Sequence, residues 1–136
     1  MKNFLEVLKK VALNLNDAKI KYAVIGSFNL FLQGLKIEPA DIDLVTANEN
    51  IEKFIKTFSA HPVKCDHSKK VGFILNGVEV ETVYEHPIYN QALNDTTEIE
   101  LEGVKVTCLT LETEAECYEK TGRKEKADMI REFTSH

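Results

Sequence analysis

Tyr22-Ala23-Val24-Ile25-Gly26-Ser27 and Asp41-Ile42-Asp43-Leu44-Val45 are the two stretches on which the reading of this chain turns. The first is an apolar run stopped by glycine, the pattern of a short buried strand. Ser27 is placed to cap a helix that carries Leu30, Phe31 and Leu32 and closes at Gly34. Pro39 then marks a turn into a second strand. Side chains alternate along a strand, so Asp41 and Asp43 share one face while Ile42 and Leu44 point into the core. Two ionised carboxylates held this close repel, and a polyvalent cation relieves the repulsion. An all-oxygen donor set suits Mg²⁺ or Mn²⁺ better than zinc. A strand with one wet face gives the same alternation without a metal, so the pair needs support from elsewhere.

Gly26-Ser27 supplies part of that support. A glycine at a strand end lets the backbone come close to a ligand, and the start of the next helix offers N–H groups to an anion. The Ser27 hydroxyl can donate to a phosphate oxygen. A two-metal site for phosphoryl transfer also wants a third carboxylate from a neighbouring strand. Glu79 and Glu81 offer it, two apart on one face and alternating with Val78 and Val80.

The rest of the chain reads outward from these strands. Residues 3–18 place Phe4, Leu5, Leu8, Val11, Ala12 and Leu15 at helical spacing. A third helix starts at Asn48 or Glu49 and carries Ile51, Phe54, Ile55 and Phe58. Asn76-Gly77 joins strands near 71–75 and 78–83 into a hairpin, and Gly103 centres a second one between 99–101 and 104–106. Residues 85–97 show no period and read as a loop, and 111–133 reads as helix with a break near Gly122. The pattern predicts one domain over residues 1–136, of α/β (α+β) class, with a mixed β-sheet covered by helices in a two-layer arrangement.

Composition narrows the function. The chain has 136 residues, 43% of them hydrophobic, enough for one core. No apolar run reaches the roughly 18 residues of a membrane span, and the first helix is amphipathic rather than signal-like. Cys65, Cys108 and Cys117 form no CxxC pair and read as unpaired thiols in a reducing cytoplasm. Cys65-Asp66-His67 lacks the second ligand pair that zinc requires. A net charge of −5 argues against general binding to DNA or another nucleic-acid backbone. It also means that a bound triphosphate needs metal or locally gathered cations.

Ile25-Gly26-Ser27, the helix ending at Gly34 and Asp41-Ile42-Asp43 resemble the hG[GS]…DhD motif of the nucleotidyltransferase superfamily, related to DNA polymerase beta. The likeness is greatest to minimal, single-domain prokaryotic members. It continues through 76–81, which resembles the strand bringing the family's third carboxylate and puts it at Glu81. Residues 109–112 and 118–128 are similar to the closing helices of that group.

The resemblance implies transfer of a nucleoside monophosphate from an NTP, such as ATP, to a hydroxyl-type acceptor. Asp41, Asp43 and Glu81 would hold the metal ions, and Gly26 and Ser27 would contact the phosphates. Lys120, Arg123 and Lys126 would approach the triphosphate from the last helices, unless they are ordinary solvated cations. Two features depart from the family: the third acid is Glu where many members have Asp, and no accessory helical domain follows. The acceptor, a small molecule, an RNA end or a protein, is then expected to bind with help from a second subunit, a partner protein or the 85–97 loop. The competing expectation is an antitoxin-like or nucleotide-binding module that acts with a separate helical protein and turns over little by itself.

Overall fold

A computed structural model describes residues 3–65 and 68–135. The amphipathic N-terminal segment forms helix α1 (Phe4–Asp17), with the Asn3 side chain accepting the Glu6 N–H at 3.2 Å as its cap. Its apolar stripe, Val7, Leu8, Val11, Ala12 and Leu15, is buried. Strand β1 (Tyr22–Ile25) is buried at every position and runs directly into helix α2 (Gly26–Leu32). Strand β2 (Ile42–Thr46) follows, then a 3₁₀ turn over Asn48–Asn50 and helix α3 (Ile51–Phe58).

The two-residue strand β3 (His61–Pro62) precedes β4 (Lys69–Leu75) and β5 (Val78–Tyr84). Asn76 and Gly77 both take positive φ, the geometry of the two-residue turn that their sequence predicts. Strands β6 (Thr96–Leu101) and β7 (Val104–Leu109) form the second hairpin, and helices α4 (Leu111–Lys120) and α5 (Lys124–Thr134) end the chain. The sequence pattern does not announce β3, a short edge strand whose pairing reaches only Gly72 and Val71.

The seven strands make one mixed sheet in the order β3-β4-β5-β2-β1-β7-β6. β1 is antiparallel to β2 and parallel to β7, and β2 is parallel to β5. One face is covered by α1 and α3, whose Leu8, Val11, Leu15 and Phe54 pack on Ile42, Leu44, Val78 and Val80. Each such fully buried side chain contributes about 1.5–3 kcal/mol. On the other face Ala23, Ile25, Val45 and Val83 are covered by Tyr89, Ala92 and Leu93 of the 85–95 segment and by Cys117 of α4. The segment expected to be a loop therefore serves as a cover on the second sheet face.

One local expectation is corrected by the structure. Ser27 does not cap α2: Ile25 occupies the cap position and no side chain caps the helix. Among the described residues no helix is long and apolar enough to cross a membrane.

Candidate functional site

Three central strands set the site by register alone. Ile25 on β1 lies opposite Asp43 on β2, and Asp43 lies opposite Glu81 on β5. Asp41 precedes β2 by one residue and shares the face of Asp43. Together the carboxylates of Asp41, Asp43 and Glu81 bring one oxygen each to within 4.8 Å of one another. Glu79 is exposed, pairs with Ile74 across the sheet, and stands outside this cluster.

The cluster is electrostatically unfavourable by itself. Burial, and then the neighbouring Asp41 charge, push the Asp43 carboxyl up from 3.8 to about 6, with Glu81 adding to the rise. Lys70 on β4 works against it. The Lys70 ammonium lies 3.6 Å from Glu81 Oε1, both side chains being largely enclosed. Three converging carboxylate oxygens with one partial counter-ion fit a hard divalent cation, which supplies the missing positive charge without demanding nitrogen or sulfur.

Gly72 makes room for this arrangement. It faces Glu81 across β4 and β5, and a Cβ there would lie 2.8 Å from the Val80 carbonyl oxygen and 3.1 Å from Glu81 Cγ. Gly72→Ala is expected to destabilise the fold by about 1–3 kcal/mol through overpacking and to displace Glu81. Urea unfolding measures the first effect, and an unchanged midpoint would contradict the close packing.

Gly26 adjoins the acids from β1. Its φ of +73° lies in the left-handed region, and a Cβ there would sit 3.6 Å from Asp43 Oδ2. The Gly26 N–H itself is taken up within the fold. It donates to Glu114 Oε1 at 2.7 Å. Glu114 is fully buried on α4 and also accepts from Asn29 Nδ2 at 2.9 Å and from the Tyr89 hydroxyl at 2.9 Å. Burial pushes its carboxyl up to about 7 despite these three donors. Glu114 thus joins α4, the 85–95 segment and the β1–α2 turn at one point beneath the site.

A cleft of about 300 Å³ opens above, lined by Gly26, Ser27, Asp43, Lys70, His86 and Arg123, with Tyr118 and Tyr89 among its walls. The Arg123 guanidinium sits over the Tyr118 ring, 5.3 Å from its centroid. His86 Nδ1 accepts the N–H groups of Ile88 and Tyr89 at 3.0 and 3.1 Å. That leaves Nε2 to carry the proton, so the ring presents a donor and not a base. Burial and the Lys70 charge lower its basicity further.

Residues 7–100 match the family model for aminoglycoside-2''-adenylyltransferase. That span is well over half of the chain and holds Gly26, both aspartates and Glu81. The chain belongs to the aminoglycoside-2''-adenylyltransferase family. Among solved structures this family member is similar to TM1012 of Thermotoga maritima, a presumed nucleotidyltransferase, at 28% identity and a TM-score of 0.75 over 97% of this chain and 92% of that one. An antigenic nucleotidyltransferase-like protein from Paracoccidioides brasiliensis matches at 21% identity and a TM-score of 0.59, covering 97% and 74%. The enzyme ANT(2'')-Ia, solved in complex with adenylyl-2''-tobramycin, shares the fold at 11% identity and a TM-score of 0.59, covering 96% and 97%. No curated protein matches the chain.

Of the residues singled out by sequence, Gly26, Ser27, Asp43 and Arg123 line this family member's cleft, and Asp41 and Glu81 join it through their cluster with Asp43. Lys120 lines a separate depression with Asp95 and Glu116, and Lys126 lines another with Lys124 and Met129. Cys65, Cys108 and Cys117 are all free thiols; burial pushes Cys108 and Cys117 up to about 12. Asp66 and His67, of the rejected zinc motif, lie outside the described residues. Lys70, His86, Tyr89 and Glu114 join the site without having stood out in the sequence. Glu114 had a readable signal: it falls on the helical face of Leu111, Ala115 and Tyr118, where a carboxylate is out of place.

Proposed function

We propose that the chain transfers a nucleoside monophosphate from an NTP to an acceptor hydroxyl in a reaction that depends on Mg²⁺ or Mn²⁺. The observation that carries this reading is the convergence of the Asp41, Asp43 and Glu81 carboxylates beside the Gly26-Ser27 turn. The family and the fold are those of nucleotidyltransferases and support the same chemistry.

Asp41, Asp43 and Glu81 are the residues that would hold the divalent cation. When bound, it neutralises phosphate charge and makes the acceptor oxygen a better nucleophile. The chain's own residues supply the rest. Arg123 and the Ser27 hydroxyl face the cleft and provide a cation and a donor for phosphate oxygens. His86 adds a neutral donor through Nε2. In the transfer the acceptor oxygen bonds to the α-phosphorus as the bond to the pyrophosphate oxygen breaks, and the hydroxyl proton leaves to a nearby carboxylate or to solvent.

The acceptor class follows less directly. The ANT(2'')-Ia complex carries an adenylylated aminoglycoside, which makes polycationic amino sugars the first acceptors to try. The net charge of −5 suits a cationic acceptor. Incubation with α-labelled NTPs, Mg²⁺ or Mn²⁺ and a panel of aminoglycosides, RNA ends and cell extract should label an acceptor and release pyrophosphate. Label transfer that persists in Asp41→Asn would contradict the site. Nucleotide binding without transfer to anything in the panel or the extract would favour the binding-module reading.

A further inference from the structure

Lys70 has no place in the motif that identifies the site, yet it stands at the centre of its electrostatics. It projects from β4 into the cleft that Gly26, Ser27 and Arg123 also line. Its ammonium pairs with Glu81 Oε1 at 3.6 Å, closer than any other cation–carboxylate approach within the acid cluster among the described residues. That separation is an ion pair without a hydrogen bond, so Glu81 holds the ammonium by charge alone. Gly72 is two residues further along the same strand and pairs with Glu81, so the Lys70 stem lies diagonally across from that acid. A four-carbon stem with a compact charge can change partner over several ångströms without backbone movement.

We infer that Lys70 is an exchangeable counter-ion, paired with Glu81 when no divalent cation is bound and turned to the nucleotide's phosphates when one is. The inference rests on the nucleotidyltransferase reading above and adds a residue and a sequence of events to it. Two considerations drive it. An ammonium and a divalent cation compete for the same Glu81 oxygen, and the divalent ion, which also draws on Asp41 and Asp43, wins. Once displaced, a cation enclosed in the cleft needs an anionic partner, and the only one the reaction supplies is the triphosphate. Lys70 and Arg123 are the lysine and arginine lining the cleft, and they reach it from different elements, β4 and the turn before α5. An acidic protein thereby gathers two cations where the phosphates would lie.

The role makes opposite predictions for two ligands, which a purely structural lysine would not. Lys70→Met removes the competitor, so calorimetric titration with Mn²⁺ alone should show binding about tenfold tighter than wild type. With Mn²⁺ saturating, the same variant should bind an α,β-methylene ATP analogue, which cannot transfer its monophosphate, about tenfold more weakly. Lys70→Arg should restore most of the nucleotide affinity. If Lys70→Met does not fold, as judged by circular dichroism, Lys70→Gln carries the same comparison with a more polar neutral side chain. Loss of affinity for both ligands, or no change in either, overturns the inference while leaving the nucleotidyltransferase reading intact. Wild-type protein that binds neither Mn²⁺ nor the analogue overturns that reading and the role of Lys70 together.

Discussion

Asp43→Asn should abolish nucleotidyl transfer and at the same time make the metal-free protein more stable at pH 8. The loss of activity is expected to be about 10³-fold or greater, the scale on which a single preorganised electrostatic group acts. The gain in stability follows from the same crowding of charge. Asp43 is pushed up from 3.8 to about 6 by burial first and by Asp41 next. A carboxyl raised in the folded state favours its protonated form, so its contribution is intact below pH 4 and is lost as pH climbs through 6. At pH 8 the ionised group costs roughly 2–3 kcal/mol, since each tenfold change in an ionisation equilibrium is about 1.4 kcal/mol. Asparagine keeps the shape and carries no charge. The stability difference between the variant and the wild type should therefore be absent near pH 3.5 and fully developed above pH 7. Millimolar Mn²⁺ should reverse the order by stabilising wild type alone. Chemical denaturation with and without Mn²⁺ reads all three conditions. A variant less stable than wild type at pH 8 without metal would mean that the acids are not in mutual repulsion.

Glu114→Ala should cost about 3–5 kcal/mol, one of the largest effects of any single substitution on stability in this chain. It leaves the Gly26 N–H, the Asn29 amide and the Tyr89 hydroxyl with a lost acceptor at one buried point. The conservative variant separates charge from hydrogen bonding. Glu114→Gln retains an acceptor oxygen for Gly26 and Asn29 but cannot ionise. Wild-type Glu114 rises from 4.5 to about 7 in the fold, chiefly by burial. By the same sign, wild type loses stability as pH rises from 4.5 to 7, whereas Glu114→Gln does not lose that part. The stability of the variant relative to wild type should grow by about 3 kcal/mol between pH 4.5 and pH 8. Asp43 raises Glu114 as well, so the two pH effects overlap and will not simply add in a double variant. Parallel stability curves for Glu114→Gln and wild type would show that Glu114 ionises freely in the fold.

The legible and the illegible parts of this molecule divide along sequence distance. Gly26, Asp41 and Asp43 are readable because alternation on a strand and a glycine at its end are local properties. Asn76-Gly77 is readable because turn chemistry needs only two residues, and that turn brings Glu81 onto the strand beside Asp43. Choosing Glu81 over Glu79 on physical grounds needs the parallel register of β2 with β5, which only the folded sheet provides. Lys70 is hidden for the same reason: it lies one residue outside the strand as its hydrophobic pattern delimits it, and its partner is across the hairpin.

The Ser27 cap fails on a different ground. Helix α2 begins directly at Gly26, so Ser27 already lies inside its first turn and not at the cap position, and the glycine that reads as a strand stop is also the first helical residue. The 85–95 segment lacks periodicity because it is organised by turns, with His86 Nδ1 and Asn90 Oδ1 accepting its backbone N–H groups. Lys120, Lys126 and Arg123 look equivalent in the sequence as cations on closing helices. The break at Gly122 turns only Arg123 into the cleft, against Tyr118.

Crystals grown with Mn²⁺ and the α,β-methylene ATP analogue, with data collected at the manganese absorption edge, test the central claim most directly. The expected result is an anomalous peak bonded to carboxylate oxygens of Asp41 and Asp43, with the analogue's phosphates on the same ion beside Gly26 and Ser27. Manganese bound elsewhere, or an ordered nucleotide in the cleft with no metal at these aspartates, would contradict it.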